Sequence, residues 1–355
     1  MKRKLLKGNE VIAMAAIEAG CLFYAGYPIT PQNEIPEYMA KHMPEVGGIF
    51  IQAESELAAI NMVFGASAAG TRAMTSSSSP GISLKQEGIS YLAGAELPAV
   101  IVNMQRGGPG LGNISGSQAD YFQAVKGGGH GDYRMLVYAP YNHQEMWNLT
   151  MKAFDMADKY RSPVMILADG IIGQMMEPLY LTEYKKPSLP PKDWILDGCK
   201  NRDPRVIKSL YMGEGELERK NLNLQRKYSL IKEREVLYEA VDIDDADVVV
   251  VAFGIAARVA LSAVQSLKKE GLPVGLFRPV TLFPFPEKEL SALSFGNKRL
   301  LVVELNAGQM VEDVRLAVNG KVEVDFYGRP GGGILTPEEV YGEVKKILSG
   351  ARVTN

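Results

Sequence analysis

Short apolar runs rich in β-forming residues recur through the first half of this chain, and each is followed by a turn or a segment of helical period. That alternation is the signature of a parallel sheet covered by helices on both faces, and it leaves few other folds open. Strands are expected at residues 22–25, 49–52, 73–76, 99–104, 135–138 and 164–168. A first helix is expected over residues 10–19, with Asn9 as its cap and Gly20 as its stop. Open α/β sheets bind ligands along the carboxyl edge of their strands, so the loop at residues 26–31, Gly-Tyr-Pro-Ile-Thr-Pro, lies where a site belongs.

Between residues 185 and 241 the periodicity fades into Pro-rich and charge-rich sequence, including Leu189-Pro190-Pro191 and the run 216–234. A second, shorter α/β pattern follows, with strands at 248–252, 274–277, 300–303 and 322–326, a helix at 256–269 and a last helix from Pro337. The expected organisation is a domain over residues 1–185, a connector over 186–241 and a smaller domain, also parallel, over 242–355. A length of 355 residues fits two cores better than one.

Several function classes drop out on composition. A net charge of -2 offers no basic face for nucleic acid. The apolar stretch 11–19 contains Glu18 and resembles neither a signal segment nor a membrane span, so a cytoplasmic protein is expected. The two cysteines, Cys21 and Cys199, share no Cys-x-x-Cys frame and cannot hold a cluster or zinc. The three histidines lack metal-ligand spacing, and no metal site is assigned. The glycine cluster 127–132 lacks the helix start and partner acid of a phosphate cradle, so a tight loop is the better reading.

Chemistry concentrates in three places. In Gln52-Ala53-Glu54-Ser55-Glu56-Leu57-Ala58-Ala59, a glutamate opens an otherwise apolar helix, where it can serve the helix terminus or an adjoining pocket. Glu56 faces a pocket if Leu57 and Ile60 face the core. Next come strand 73–76 and the loop Ser77-Ser78-Ser79-Pro80-Gly81, whose small residues let backbone approach a flat ring and whose Gly81 can take a conformation closed to other residues. The third is Arg106 ahead of Gly107-Gly108, either a solvated strand end or an anion fork.

Glu56-Leu57-Ala58-Ala59, a helix, a turn and a Ser/Thr-rich loop ending in Ser79-Pro80-Gly81 resemble the pyrimidine-binding domain of thiamine-diphosphate enzymes, with Ser79 in the place of the usual glycine. The chain as a whole is similar to the alpha subunit of 2-oxoacid:ferredoxin oxidoreductases. The match is carried by residues 26–31 and 52–59, by Asn103-Met104-Gln105-Arg106-Gly107-Gly108-Pro109, and by Val303-Glu304-Leu305-Asn306-Ala307-Gly308-Gln309. The second half resembles the C-terminal domain of transketolase. The resemblance implies an α/β thiamine-diphosphate-binding (pyrimidine-domain) fold followed by a smaller transketolase C-terminal-like α/β domain.

It also implies roles. Glu56 would activate the aminopyrimidine, with Ser79, Pro80 and Gly81 against the cofactor. Tyr27, Pro28, Ile29, Thr30 and Arg106 would meet the 2-oxoacid, Thr30 by a hydrogen bond and Arg106 through the carboxylate or developing oxyanion. Glu54 competes with Glu56 on sequence position alone, and register against Gly70 favours Glu56. Glu304 and Asn306 receive no catalytic role.

No Gly-Asp-Gly occurs, and Gly131-Asp132-Tyr133 only approaches it. The diphosphate and its Mg are therefore expected on a beta subunit, together with iron–sulfur clusters, and gamma and ferredoxin-like delta subunits would complete the assembly. The implied reaction is coenzyme A-dependent oxidative decarboxylation with electrons passed to ferredoxin. Residues 129–140 and 141–147 look most like the branched-chain (3-methyl-2-oxobutanoate, or ketoisovalerate) type, with 2-oxoglutarate the near alternative. A non-catalytic scaffold and a self-sufficient transketolase-like enzyme are the rival readings.

Overall fold

A computed structural model describes residues 3–293, 298–351 and 353. In chain order the first half contains β1 (Arg3–Lys7), α1 (Gly8–Glu18), β2 (Phe23–Gly26), α2 (Glu34–His42), β3 (Ile49–Gln52), α3 (Glu56–Ala68), β4 (Ala73–Ser77), α4 (Ser79–Ala95) and β5 (Ala99–Gln105). It continues with α5 (Tyr121–Val125), β6 (Leu136–Tyr138), α6 (His143–Tyr160), β7 (Pro163–Asp169), α7 (Gly170–Gln174) and β8 (Met176–Tyr180). The second half contains α8 (Glu216–Arg234), β9 (Tyr238–Val241), β10 (Val248–Val251), α9 (Gly254–Lys269), β11 (Val274–Pro279), β12 (Thr281–Phe283), α10 (Glu287–Ala292), β13 (Arg299–Glu304), α11 (Met310–Val318), β14 (Glu323–Gly328) and α12 (Pro337–Leu348).

The larger sheet has seven strands in the order β12-β6-β7-β5-β4-β2-β3, parallel except for β12, which runs antiparallel to β6. Every residue of β4, β5 and β7 is buried, as expected of central strands covered on both faces. The smaller sheet has the order β14-β13-β10-β11-β9, with β9 antiparallel to β11.

Four expectations need correction. Asn9 does not cap the first helix: it is buried, and its amide donates to Pro31 O at 2.7 Å and Glu34 Oε2 at 2.7 Å, while Lys7 takes the cap position. Within the expected connector, the charged run 216–234 is helix α8, which buries Leu224, Tyr228 and Ile231 and joins Lys220 and Lys227 to Glu96. The second sheet is not wholly parallel. Finally, residues 281–283, from the Arg-Pro-Val-Thr-Leu-Phe run of the second half, return to edge the larger sheet.

The two halves are joined at the carboxyl edge of the larger sheet. Gln118 Nε2 donates to Phe253 O at 2.8 Å, Leu305 N to Gln118 Oε1 at 3.0 Å, and Asn306 Nδ2 to Gln118 O at 2.8 Å. Farther along, Gln309 Oε1 accepts from Phe122 N at 2.8 Å and its amide donates to Ala119 O at 2.7 Å. These bonds hold residues 117–122 between the second half and the loops after β4 and β5.

Candidate functional site

The ends of β2, β4, β5 and β7 lie side by side, with Ser77 beside Asn103 and Gln105 beside Asp169 in register. Every sequence motif singled out in the first half, the glycine cluster excepted, leaves this edge.

Ser55 caps α3, its hydroxyl accepting from Ala58 N at 3.1 Å, so Glu56 is the first helical residue. Glu56 is only 5 % exposed, while Glu54, before the cap, is exposed. Burial therefore separates the two carboxylates that sequence position could not. Ile60 is buried as expected, but Leu57 is 45 % exposed and does not face the core.

The Glu56 side chain lies against Gly81. A Cβ at Gly81 would overlap Ser77 Oγ and fall 2.5 Å from Glu56 Oε1 and 3.0 Å from Glu56 Cγ. Gly81 belongs to the first turn of α4, not to a loop, and its φ is not among the positive ones. Its lack of a side chain makes room for a carboxylate, which corrects the expectation of a special backbone conformation. The bond Glu56 receives is at its main-chain oxygen, its carboxylate makes none among the described residues, and the hydroxyls of Thr75, Ser77 and Ser78 are buried without a partner.

Sequence reasoning passed over Lys85. It sits one turn after Gly81, is fully buried, and donates from Nζ to Glu56 O at 3.3 Å. Burial pulls its pKa down to about 8, opposed by the field of Glu56. Nothing in Gly-Ile-Ser-Leu-Lys-Gln-Glu marks this lysine as internal, since the period of α4 is blurred by glycines and serines.

The loop after β2 exposes Tyr27, Pro28 and Thr30 and half-buries Ile29. It is pinned at Pro31 O by Asn9 Nδ2 and by Gln174 Nε2 at 3.0 Å, and at Gln32, whose amide oxygen accepts from the Ser76 hydroxyl. Arg106 reaches this loop: Nη1 donates to Thr30 O at 2.9 Å and Nη2 to Leu111 O at 3.0 Å, while Nε is buried without a partner. Thr30 and Arg106, far apart in sequence, are thus neighbours, and the Thr30 hydroxyl has no partner among the described residues.

Ser79 joins the two loops. Its hydroxyl donates to Asp120 Oδ2 at 2.6 Å and accepts from Arg106 N at 3.0 Å, while Asn103 Nδ2 donates to the same Asp120 oxygen at 2.9 Å. Burial pushes the Asp120 carboxyl up, against the pull of Ser79 and Asn103. Pro80 follows at the helix start, where a missing N–H costs nothing. At the end of β7, Asp169 caps α7 through Ile171 N at 2.8 Å and Ile172 N at 3.2 Å, and burial raises its pKa to about 7.

A polar ring nitrogen brought to Glu56 would find an unpaired carboxylate, free hydroxyls and a floor without a Cβ. The donor set fits an aminopyrimidine. Among the described residues no group of three or more His, Cys, Asp or Glu side chains is arranged to hold a metal. A separate cleft of about 410 Å³, lined by Lys126, Arg134, Lys232 and Phe283 among others, shares no residue with this edge. No described helix is long and apolar enough to cross a membrane.

Two family descriptions cover most of the chain. The family described as "Pyruvate flavodoxin/ferredoxin oxidoreductase, thiamine diP-bdg" matches residues 14–227, and "Pyruvate:ferredoxin oxidoreductase core domain II" matches residues 246–340. The ketoisovalerate oxidoreductase subunit VorB of Methanothermobacter thermautotrophicus is 50 % identical over 98 % of both chains. The 2-oxoglutarate synthase subunit KorA of the same organism is 36 % identical, over 96 % of this chain and 98 % of its own. Among solved structures, 2-oxoglutarate:ferredoxin oxidoreductase from Magnetococcus marinus, with 2-oxoglutarate, coenzyme A and succinyl-CoA bound, superposes with a TM-score of 0.86 at 29 % identity. That match covers 97 % of this chain and 65 % of the other. A split-gene transketolase, at 16 % identity, TM-score 0.60 and 98 % coverage of this chain against 99 % of its own, shares the fold alone.

Proposed function

The chain belongs to the pyruvate flavodoxin/ferredoxin oxidoreductase family, and from that premise we propose that it is the pyrimidine-binding subunit of a 2-oxoacid:ferredoxin oxidoreductase acting on a branched-chain acid, 3-methyl-2-oxobutanoate. The observation that carries the reading is the Glu56 side chain, 5 % exposed, lying against Gly81 at the start of α4 with no side-chain hydrogen bond among the described residues. Thiamine diphosphate, when bound, would supply the nucleophile and the electron sink that decarboxylation of a 2-oxoacid needs.

This chain's part is to orient and to move protons. Glu56 meets N1′ of the aminopyrimidine and keeps a proton there, the state that makes the neighbouring amino group basic. Ser79 and Pro80 shape the ring's edge, and Gly81 lets the carboxylate reach it. Arg106, whose Nη1 reaches Thr30 O at 2.9 Å, brings its guanidinium to the acid's carboxylate, and Thr30 donates its hydroxyl to the keto oxygen. Tyr27, Pro28 and Ile29 present apolar surface to the substrate side chain. That lining suits a branched alkyl group, and the relative named for ketoisovalerate shares more residues with this chain than the one named for 2-oxoglutarate.

The remaining assignments follow from the same reading. The diphosphate and Mg go to a beta subunit, the iron–sulfur clusters to partner chains that include gamma and delta subunits, and the electrons to ferredoxin, in the cytoplasm. The chain divides functionally into residues 1–185, the linking segment 186–241 and residues 242–355. A 2-oxoglutarate preference is the second reading, favoured by the solved structure with that acid bound.

The test uses the assembled complex, following coenzyme A-dependent dye reduction with each acid. A higher kcat/KM for 3-methyl-2-oxobutanoate is expected, and a preference for 2-oxoglutarate would overturn the substrate assignment. Arg106→Lys should raise KM strongly with assembly intact, because the charge stays and the fork is lost. An unchanged KM removes Arg106 from the site.

A further inference from the structure

We propose that Lys85 is a positioning residue for Glu56, supplying a buried positive charge beneath the first turn of α3, where the Glu56 carboxylate lies against Gly81. The inference rests on the reading of Glu56 as the group that meets the aminopyrimidine.

Lysine is almost never fully buried without an ionic partner. Lys85 is fully buried, yet among the described residues its one hydrogen bond is the long contact to the Glu56 main-chain oxygen at 3.3 Å, and none of their carboxylates contacts it directly. A methionine would fill the same space without the cost of desolvating an ammonium, so packing does not account for it.

The placement is specific. Gly81, Lys85 and Gly88 follow one another at intervals of four and three residues and share a face of α4. A Cβ at Gly88 would fall 2.5 Å from Ile60 Cγ2, so α4 approaches α3 closely at that level and leaves Lys85 directed at the first turn of α3. One helix face therefore makes room for the carboxylate and places a charge beneath it.

Among the described residues, the other carboxylates of the neighbouring elements are committed elsewhere. From β4 come the hydroxyls of Thr75, Ser76 and Ser77; from β2 comes Tyr24, hydrogen-bonded to Ser76 Oγ at 2.6 Å and held neutral by burial. Toward β5 and the loop beyond it stand Asn103 and Asp120, the latter engaged by Ser79. From β7 comes Asp169, committed to capping α7. On α4 itself, Glu87 is exposed and bonded to the Tyr91 hydroxyl, while Tyr133, from the loop before β6, bonds Gln86. Glu56 is the group whose field acts on Lys85, and burial has brought that ammonium down to about 8.

The chemical consequence concerns a shared proton. Between a carboxylate and a ring nitrogen the proton rests on the more basic partner, and a cation beside the carboxylate makes the carboxylate the poorer base. Lys85 thereby favours the proton on N1′.

The experiment compares Lys85→Met, which keeps length without charge, and Lys85→Gln, which keeps a donor for Glu56 O. In the full chain, the Glu56 carboxylate band is assigned by infrared difference against Glu56→Gln and followed with pH. In the assembled complex, exchange of the cofactor C2 proton is followed over the same range. Both Lys85 variants should displace the Glu56 carboxylate band from its wild-type position. The acid limb of exchange should move up by about one pH unit, roughly tenfold in rate on that limb. KM for the oxoacid should stay within about twofold of wild type.

Unchanged band and profile in an assembled Lys85→Met complex overturn the proposal. So does a shift in Lys85→Met that Lys85→Gln lacks, because the hydrogen bond rather than the charge would then be responsible, and so does failure of both variants to fold. If Glu56→Gln itself leaves exchange intact, the reading of the site fails. If Glu56→Gln abolishes exchange and the Lys85 variants do not alter it, only the role of Lys85 fails.

Discussion

Two glutamates, one in each half of the molecule, sit buried beside the start of a helix, and they are treated in opposite ways. Glu304, at the end of β13, accepts from Met310 N at 2.9 Å, Val311 N at 3.0 Å and Asn306 Nδ2 at 2.8 Å, so its oxygens are consumed by the start of α11 and the neighbouring amide. Glu56 opens α3, yet its carboxylate turns from the helix amides toward the empty side of Gly81. A buried polar group is ordinarily satisfied because leaving it unpaired costs about 1–3 kcal/mol. Glu304 obeys that rule and is structural. Glu56 makes no side-chain hydrogen bond among the described residues, and that difference is what its proposed role at the cofactor would use.

Exchanging each carboxylate for its amide is the strongest way to break the comparison. Glu56→Gln should lower turnover of the assembled complex by about 10²–10⁴, the range of a lost acid–base group, with little change in the unfolding midpoint. Glu304→Gln should do the reverse, destabilising by about 1–3 kcal/mol because an amide nitrogen replaces an acceptor among backbone N–H groups. The pH dependence separates them further. Burial raises the Glu304 carboxyl above its usual value despite its hydrogen bonds. Its stabilising contribution is therefore greatest below the unfolded value and is lost as pH rises through the folded one. Denaturant melts from pH 4 upward should show that slope in the wild type and its absence in Glu304→Gln; a turnover loss in Glu304→Gln as large as in Glu56→Gln would erase the distinction.

The same contrast shows what was legible in the sequence. Fully buried parallel strands announce themselves as apolar runs, so β4, β5 and β7 lie within a residue of expectation at each end, and the edge strand β3, though half exposed, is apolar enough to fall where expected. Motif order along the carboxyl edge likewise brought Thr30 and Arg106 to one place. Features set by tertiary contact were not legible. The strand 281–283 crosses to the other sheet because β6 has a free edge there, and α8 forms from a charged run because Leu224, Tyr228 and Ile231 find a surface to cover. Asn9 reads as a cap until Pro31 O and Glu34 are seen beside it. Ser79 reads as a blemish in a glycine position until Asp120 and Arg106 N are seen on its hydroxyl. Burial of Lys85 depends on the α3–α4 approach, which no local pattern encodes.

A smaller effect is expected at Gly81. Gly81→Ala adds a methyl that must displace Ser77 Oγ or the Glu56 carboxylate, and the carboxylate end is the more movable. C2-proton exchange should fall about tenfold, the consequence of a carboxylate shifted by a fraction of an ångström. Exchange at the wild-type rate would show that the carboxylate does not need the space that Gly81 leaves.

Lys85 sharpens the comparison from the stability side. Its ammonium is depressed from 10.5 to about 8 by burial, so the fold carries a cost on the order of 3 kcal/mol while the group is charged. Lys85→Met should raise stability by up to that amount at neutral pH. Between about pH 8 and 10.5 the unfolded chain holds a proton that the folded one has released. Wild-type stability rises with pH there, and the gap between the two proteins should close. Denaturant midpoints at pH 7 and 10 measure this, and a variant less stable than wild type at pH 7 would show that the lysine is structural.

The smallest effect is expected at Glu54, and it tests the choice of Glu56 most directly. The two carboxylates are two residues apart, and both lie near the amino end of α3, so a field effect of the helix terminus would act on either. What separates them is the Ser55 cap: Glu54 precedes it in exposed, non-helical chain, and Glu56 follows it with its side chain under α4. An exposed glutamate that makes no ion pair among the described residues contributes little, so Glu54→Gln should leave stability within about 0.5 kcal/mol and C2-proton exchange within about twofold. Lost exchange in Glu54→Gln with normal exchange in Glu56→Gln would mean that the partner-bound complex turns the exposed carboxylate inward and that burial in the single chain chose wrongly. Normal exchange in both would take this helix start out of the mechanism, and Glu56 would join Glu304 as a carboxylate kept for the fold.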